Sequence, residues 1–276
     1  DVTAAFRSAL LDEEPLIRRT AAAEAPIADE AERAKRLAPL LSDSHRAVRL
    51  EAASQLAGIP ATLLPPYQQE ALATATADYV KAMEHALDFT HGGHNLGLLY
   101  ERQGDLARAE ESYRRALAVD DLAIAPKANL ALLLARQGKS AEAERLLREI
   151  LAANPAEAEV AYSLGLLVAE SGGIDEAATF LARAAAGMPR NARAAYNAGL
   201  ALAQAGRPAE AEAMLRRAVA IEPSAYDLQF ALGDFLLRQG GPSAIDEVAA
   251  IAARMSAIDP SRPEAGQLRA VLGGTR

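Results

Sequence analysis

Three histidines form the densest group of potential metal ligands or proton-transfer groups in this sequence. His85, His91 and His94 lie close together, and residues 91–94 read His-Gly-Gly-His, a spacing that could bring two imidazole rings side by side. A structural zinc site takes about four ligands, and Asp88 is the best-placed carboxylate to join the histidines. We predict no metal here and interpret the cluster as helix capping and groove lining. A metal site, or a haem ligand supplied to a partner, is the alternative.

The rest of the sequence offers no catalytic constellation. Cysteine is absent, which excludes disulfides, thiolate zinc sites and the Cys-x-x-Cys-His haem attachment motif. No serine is placed with a histidine and an aspartate in a recognisable motif, and no glycine-rich phosphate loop follows a strand-like segment. Adjacent carboxylates such as Glu13-Glu14 and Glu110-Glu111 are typical of solvated helix faces. We therefore predict that the protein is not an enzyme and has no cofactor.

A pattern that recurs at a regular interval organises most of the chain into pairs of helices. Small residues allow two antiparallel helices to approach closely, glycine tolerates the left-handed backbone that ends a helix, and proline cannot continue one. These marks are Gly97, Ala131, Gly165, Gly199 and Gly233 on the first helices; Ala109, Ala143, Ala177 and Ala211 on the second helices; Gly104, Gly138, Gly172 and Gly206 between them; and Pro155, Pro189 and Pro223 at the ends.

The marks, together with an interval of about 34 residues, resemble the tetratricopeptide repeat. The resemblance implies an all-α protein, a right-handed α-solenoid of helical hairpins in which the first helix of each unit lines a concave groove. We predict a repeat solenoid over residues 68–276, with a cap helix at 68–88, five repeats at 90–260 and a capping helix at 261–272. The fifth repeat is three residues longer than the fourth, and we place the excess in a widened turn at 240–243.

A shorter repeat occupies residues 1–60. Six positions recur in the same order and at the same offset: Leu10, Asp12, Ile17, Arg18, Ala21 and Ala22 are followed by Leu41, Asp43, Val48, Arg49, Ala52 and Ala53. This resembles a HEAT-like unit, which implies that the aspartate caps the second helix and the arginine reaches an acidic group of the neighbouring repeat. The prolines at 60, 65 and 66 predict a seam between the two repeat types.

Composition and charge exclude two classes of partner. The net charge of -8 and the pI near 5.2 argue against a nucleic-acid-binding surface. No apolar run approaches the roughly 20 residues of a membrane-spanning helix. Opposite charges also alternate at helical spacing, as in the pairs Glu110–Arg114, Glu111–Arg115 and Glu144–Arg148. This alternation predicts a solvated outer face.

The groove-lining positions of the first helices contain the candidate binding site. In this repeat family the fifth and sixth positions of each unit look inward. The sixth positions include Asn95, Asn129, Ser163 and Asn197, and the fifth include His94, Tyr162, Tyr196 and Phe230. A recurring amide suits the backbone of an extended peptide, and aromatic anchors dominate recognition energies. The row resembles the asparagine ladder of O-linked N-acetylglucosamine transferases, although asparagine before Leu-Gly is also ordinary repeat consensus.

Three functions remain open from the sequence. The favoured one is a non-enzymatic scaffold for another protein or an extended peptide. The second is an auxiliary domain that positions a multihaem cytochrome, because the order of repeats is similar to the C-terminal half of certain bacterial multihaem c-type cytochromes. That resemblance implies a periplasmic or extracellular location, and a first residue other than methionine fits a processed protein or a fragment. The third is a self-assembling scaffold, in which the partner is another copy of the chain.

Overall fold

The computed structural model of the protein describes residues 2–240 and 242–274. Within these residues the ordered elements are helices, without a strand. This confirms the predicted all-α fold, an α-solenoid of helical hairpins. The chain divides into two compact units, one ending at Leu133 and the other beginning at Leu134, and each unit contains a buried apolar core.

The first unit begins with short helices and ends within the repeat array. Its helices are α1 (Val2–Ala9), α2 (Pro15–Ala23), α3 (Glu30–Leu37), α4 (Arg46–Gln55), α5 (Pro66–Glu84), α6 (Thr90–Arg102), α7 (Leu106–Val119) and most of α8 (Ile124–Arg136), with 3-10 turns at Ala38–Ser42 and Ala61–Leu63. Proline fits the first turn of a helix because the missing N–H would be unpaired there, and both α2 and α5 begin at one.

The two aspartates of the N-terminal repeat do not cap helices as expected. Asp12 Oδ1 accepts from the backbone N–H of Glu14 at 2.9 Å, and Asp43 Oδ1 accepts from that of His45 at 2.8 Å. Glu14 and His45 themselves occupy the cap positions of α2 and α4. Each aspartate therefore lies two residues too early, where its side chain closes the preceding turn rather than the helix end.

The second unit continues the hairpins. Its helices are the end of α8, then α9 (Ser140–Ala153), α10 (Ala158–Glu170), α11 (Ile174–Gly187), α12 (Ala192–Gln204), α13 (Pro208–Ile221), α14 (Tyr226–Gln239), α15 (Pro242–Ile258) and α16 (Glu264–Gly274). The predicted cap helices correspond to α5 and α16, with slightly different ends. The predicted division into a HEAT-like domain and a repeat domain stays a prediction.

Close helix contacts explain the small residues of the repeat. A Cβ atom on Gly97 would lie 2.3 Å from the ring of Tyr113, and one on Gly199 would lie 2.8 Å from Cγ of Leu215. The turn glycines at 104, 138, 172 and 206 have φ between 70° and 89°, a region that side chains disfavour. Both expectations from the sequence are confirmed.

The expected widened turn of the fifth hairpin is wrong. Helix α14 ends at Gln239 and α15 already begins at Pro242, so the gap is shorter than between α12 and α13. The extra residues lengthen α15, which has 17 residues where α13 has 14. Gly241, inside the predicted turn, lies outside the described residues.

The outer helices have the predicted ion pairs. Glu110 and Glu111 pair with Arg114 and Arg115 at 2.9 and 2.6 Å, and Glu144 pairs with Arg148. Pairs of this kind stabilise a helix by about 0.2–0.5 kcal/mol each. None of the described helices is both long and apolar enough to span a membrane.

Candidate functional site

The structure joins four of the predicted site residues into two hydrogen-bonded pairs. In the first unit, Asn129 Nδ2 lies 3.0 Å from His94 Nε2. In the second unit, Asn197 Nδ2 lies 2.6 Å from the hydroxyl of Tyr162. Both pairs are 35 residues apart in sequence. Each amide on one first helix is therefore fixed by a ring on the first helix of the preceding repeat, and we call these contacts the inter-repeat clips.

The other two polar residues of the row do not form clips. Asn95 Nδ2 lies 3.5 Å from the sulfur of Met83 on α5. The Ser163 hydroxyl donates to the carbonyl of Glu159 at 3.1 Å, within its own helix. The row is therefore not a uniform series of amides, because two members contact other partners.

The clips change what the amides can offer a ligand. One of the two N–H groups of the Asn197 side chain is already used, whereas its Oδ1 atom has no hydrogen-bond partner in the described part of the chain. The side chain is half-buried, so its orientation is restrained by Tyr162. An amide held in this way presents an acceptor, which matches a backbone N–H of a peptide.

The three histidines are engaged separately. His85 Nδ1 lies 2.6 Å from the carbonyl of Lys81 at the end of α5, and the exposed His91 ring stacks on Phe89 at 5.7 Å. His94 is half-buried, 6.1 Å from the ring of Tyr113, and burial lowers its pKa. A neutral ring leaves one nitrogen able to accept from Asn129. No group of three potential metal ligands comes together in residues 2–240 and 242–274.

The remaining aromatic residues of the site line a groove between α12 and α14. This C-terminal groove has a volume of about 650 Å³ and is lined by Tyr196, Leu200, Ala203, Gln204, Asp227, Phe230, Ala231, Asp234, Phe235, Arg238, Arg262 and Glu264. A second cavity of about 560 Å³ shares Tyr196 and Asp227 with it. The two openings are therefore adjacent, with Tyr196 between them.

Charged side chains at the rim of the C-terminal groove hold one another. Arg262 pairs with Asp227 and Glu264, each at 2.9 Å, and its guanidinium stacks on Tyr226 at 4.0 Å. The pKa of Glu264 is lowered, chiefly by its hydrogen bond to Arg262. Asp234 pairs with Arg238 at 2.9 Å. Because these charged groups pair with one another, the apolar side chains that line the C-terminal groove are the main surface available to a ligand.

Sequence reasoning missed the exposed leucines of the first helices. Leu200 is 40% exposed beside Tyr196, and Leu132 in the first unit is 44% exposed. The signal was present, since leucine recurs once per repeat, at positions 98, 132, 166 and 200. Covering these leucines with a partner would be favourable by about 25 cal/mol per Å² of apolar surface buried.

Comparisons with known proteins agree with the repeat pattern. Models of the tetratricopeptide repeat match residues 94–122, 128–195, 168–224 and 202–272, more than half of the chain. No curated protein sequence gives a significant match.

Solved structures give the same fold. YrrB, described as a tetratricopeptide protein with an unusual peptide-binding site, matches with a TM-score of 0.58 at 20% identity, covering 68% of this chain and 96% of that one. MamA matches at 0.55 and 20%, covering 62% and 92%. A MamA fragment from Desulfovibrio magneticus RS-1 matches at 0.55 and 18%, covering 63% and 96%. From its repeat matches, its helical hairpins and these neighbours, the chain belongs to the tetratricopeptide repeat family.

Proposed function

We propose that the protein is a non-enzymatic scaffold that binds another protein or an extended peptide on its first helices, with the main anchor in the C-terminal groove. The observation that carries this proposal is the apolar groove floor, where Tyr196, Leu200 and Phe230 line one open cavity of about 650 Å³. Buried aromatic anchors in a pocket supply most of the energy in protein recognition.

The shape and polarity of the site favour an extended ligand. Tyr196 lines both neighbouring cavities, so a bound segment can continue from one to the other. Asn197, next in sequence, holds its amide oxygen ready to accept a backbone N–H. Main-chain hydrogen bonds combined with pockets for alternate side chains are typical of peptide recognition. YrrB, a neighbour in fold, is itself described as having a peptide-binding site.

The N-terminal segment fits the same scaffold role. We propose that residues 1–60 form a HEAT-like pair, on the grounds that Arg18 of the first copy bonds both carboxylate oxygens of Asp43 in the second. Such a pair would extend the helical array.

The test compares two side chains of similar exposure in the second unit. Leu200 in the groove is 40% exposed, and Ile245 on α15 is 42% exposed. A partner captured from native lysate by the wild-type chain is purified, and its affinity for each variant is measured by calorimetry. We expect Tyr196→Ala to weaken binding by at least about 30-fold, since an anchor contributes about 2 kcal/mol or more. Leu200→Ala should weaken it less, and Ile245→Ala should leave it unchanged.

Two results would contradict the proposal. Equal affinities of the Tyr196→Ala variant and the wild type would place the partner outside the groove. A mass that rises with protein concentration in light scattering, and that Tyr196→Ala reduces to the monomer, would instead identify the occupant as a second copy of this chain.

A further inference from the structure

Arg18 and Arg49 occupy equivalent positions of the two N-terminal repeat copies and are anchored in the same way. Nη1 of each donates to two backbone carbonyls of the turn before its own helix, at 2.6 and 3.0 Å for Arg18 and at 2.7 and 3.1 Å for Arg49. Each guanidinium is therefore held in a defined orientation. The remaining two nitrogens, Nε and Nη2, form a fork that matches a carboxylate.

The fork of Arg18 is filled. Its Nε and Nη2 atoms bind the two oxygens of Asp43 at 2.7 and 2.9 Å. Both side chains are nearly buried, with 12% and 8% exposed. The hydrogen bond from Arg18 is the main reason that the pKa of Asp43 is lowered. Asp43 lies in the turn before α4, in the second copy of the N-terminal repeat. The first copy therefore supplies the arginine fork, and the second copy supplies the carboxylate.

The fork of Arg49 is open. Asp12 and Asp43 occupy equivalent positions of successive copies. The next equivalent position, at the same spacing, is Thr74, which has no carboxylate. Across the described ranges, Nε and Nη2 of Arg49 have no hydrogen bond and no carboxylate at ion-pair distance. Neither atom is among the buried unpaired groups of those ranges, so both reach solvent.

Arg49 lines a cavity of about 350 Å³ between α4 and α5. The cavity has an apolar side, where Tyr67 is 68% exposed and Leu41 is buried. Glu70 and Asp78 are on its wall, and Arg46 donates to the backbone carbonyl of Asp78 at 3.4 Å. Neither acid pairs with Arg49 in this structure. Their charges disfavour a multiply charged anion more than a single carboxylate, because repulsion grows with ligand charge.

We propose that Arg49 is a binding site for an aspartate side chain presented by a peptide segment of a partner protein, docked as Asp43 docks on Arg18. A fork already fixed by two carbonyl contacts needs little ordering when a carboxylate arrives, which favours binding. The exposed ring of Tyr67 provides apolar contact for the residue next to that aspartate. The site is separate from the C-terminal groove and does not depend on it.

The test follows the two forks side by side by NMR. The Nε–Hε signals of Arg18 and Arg49 in the full chain are recorded during titration with a capped Gly-Asp-Gly peptide, a capped Gly-Asn-Gly peptide and inorganic phosphate. We expect a saturable shift of the Arg49 signal with the aspartate peptide and a much smaller one with the asparagine peptide. The Arg18 signal should stay in place, because Asp43 already occupies its fork.

A matched pair of variants distinguishes the geometry of the Arg49 guanidinium from its positive charge. Arg49→Lys keeps the charge but removes the fork, and it should abolish the saturable response, followed on the backbone amides of Tyr67 and Thr74. Arg46→Lys changes a neighbouring arginine and should keep it. Thermal unfolding of both variants checks that they fold. Equal responses to the aspartate and asparagine peptides, a larger shift with phosphate, or an unchanged response in Arg49→Lys would overturn the proposal.

Discussion

The two inter-repeat clips use the same geometry with different chemistry. In the first unit Asn129 meets a histidine, and in the second unit Asn197 meets a tyrosine, each 35 residues earlier. The spacing is one repeat plus one residue, so the repeat itself brings the two side chains together. The repeat does not determine which side chain accepts the hydrogen bond from the asparagine. A histidine makes the contact sensitive to pH near neutrality, whereas a tyrosine does not.

The hairpins behind the clips differ in a parallel way. Gly97 in the first unit faces the ring of Tyr113, which is fully buried and donates to Glu101 at 2.8 Å. Gly199 in the second unit faces Leu215. A Cβ atom on Gly97 would lie 2.3, 2.4 and 2.8 Å from three ring atoms of Tyr113, whereas one on Gly199 would come no closer than 2.8 Å to Leu215. The contact between Gly97 and Tyr113 therefore tolerates a larger side chain less well than the contact between Gly199 and Leu215.

The largest difference between the units should appear when these glycines are enlarged. We expect Gly97→Ala to destabilise the protein by about 2–3 kcal/mol and Gly199→Ala by about 1 kcal/mol, because overpacking costs about 1–3 kcal/mol and the ring leaves less room. Urea unfolding followed by circular dichroism measures both. Gly266→Ala on α16 is the control, since a Cβ there meets nothing within 4 Å. A larger loss for Gly199→Ala than for Gly97→Ala would reverse the comparison.

Breaking the tyrosine clip should have an intermediate effect. Tyr162→Phe removes the hydroxyl that Asn197 contacts, and we expect a loss of about 0.5–1.5 kcal/mol, typical of one hydrogen bond. Tyr196→Phe is the matched control, because its hydroxyl forms no hydrogen bond to the described residues. A double-mutant cycle with Asn197→Ala gives the coupling between the two groups. A coupling near zero would mean that the contact does not stabilise the repeat interface.

The smallest effect should be the pH dependence of the histidine clip. Burial lowers the pKa of His94, so the unfolded chain binds more protons than the folded one below the ordinary pKa of about 6.5. Stability is then complete above that pH and falls as the pH drops through it. We expect the wild type to lose stability relative to His94→Gln between about pH 7.5 and 5.5. His91→Gln, which changes an exposed ring, should follow the wild type. A parallel decline in His94→Gln would assign the pH dependence to other groups.

The recurring pattern was sufficient for the hairpins but not for the contacts of the groove. The roles of Gly97 and Gly104 could be predicted because each depends on local structure, a close approach of two helices at Gly97 and a left-handed backbone at Gly104. The hydrogen bond between Asn197 and Tyr162 could not be predicted, since it depends on how far one repeat rotates against the next. The widened turn was wrong for a related reason. Counting residues shows that the fifth repeat is longer, but only the structure shows that α15 takes the extra length.

By itself the sequence determined the helical class, the period of the hairpins and the identity of the small residues, because these follow from periodicities that act within one hairpin. The tertiary structure decided which polar groups are already paired. It showed that Asn129 and Asn197 are clipped to the preceding repeat, that the fork of Arg18 is filled, and that the fork of Arg49 is open. Such outcomes depend on distances between residues far apart in the chain, and only the packed chain sets those distances.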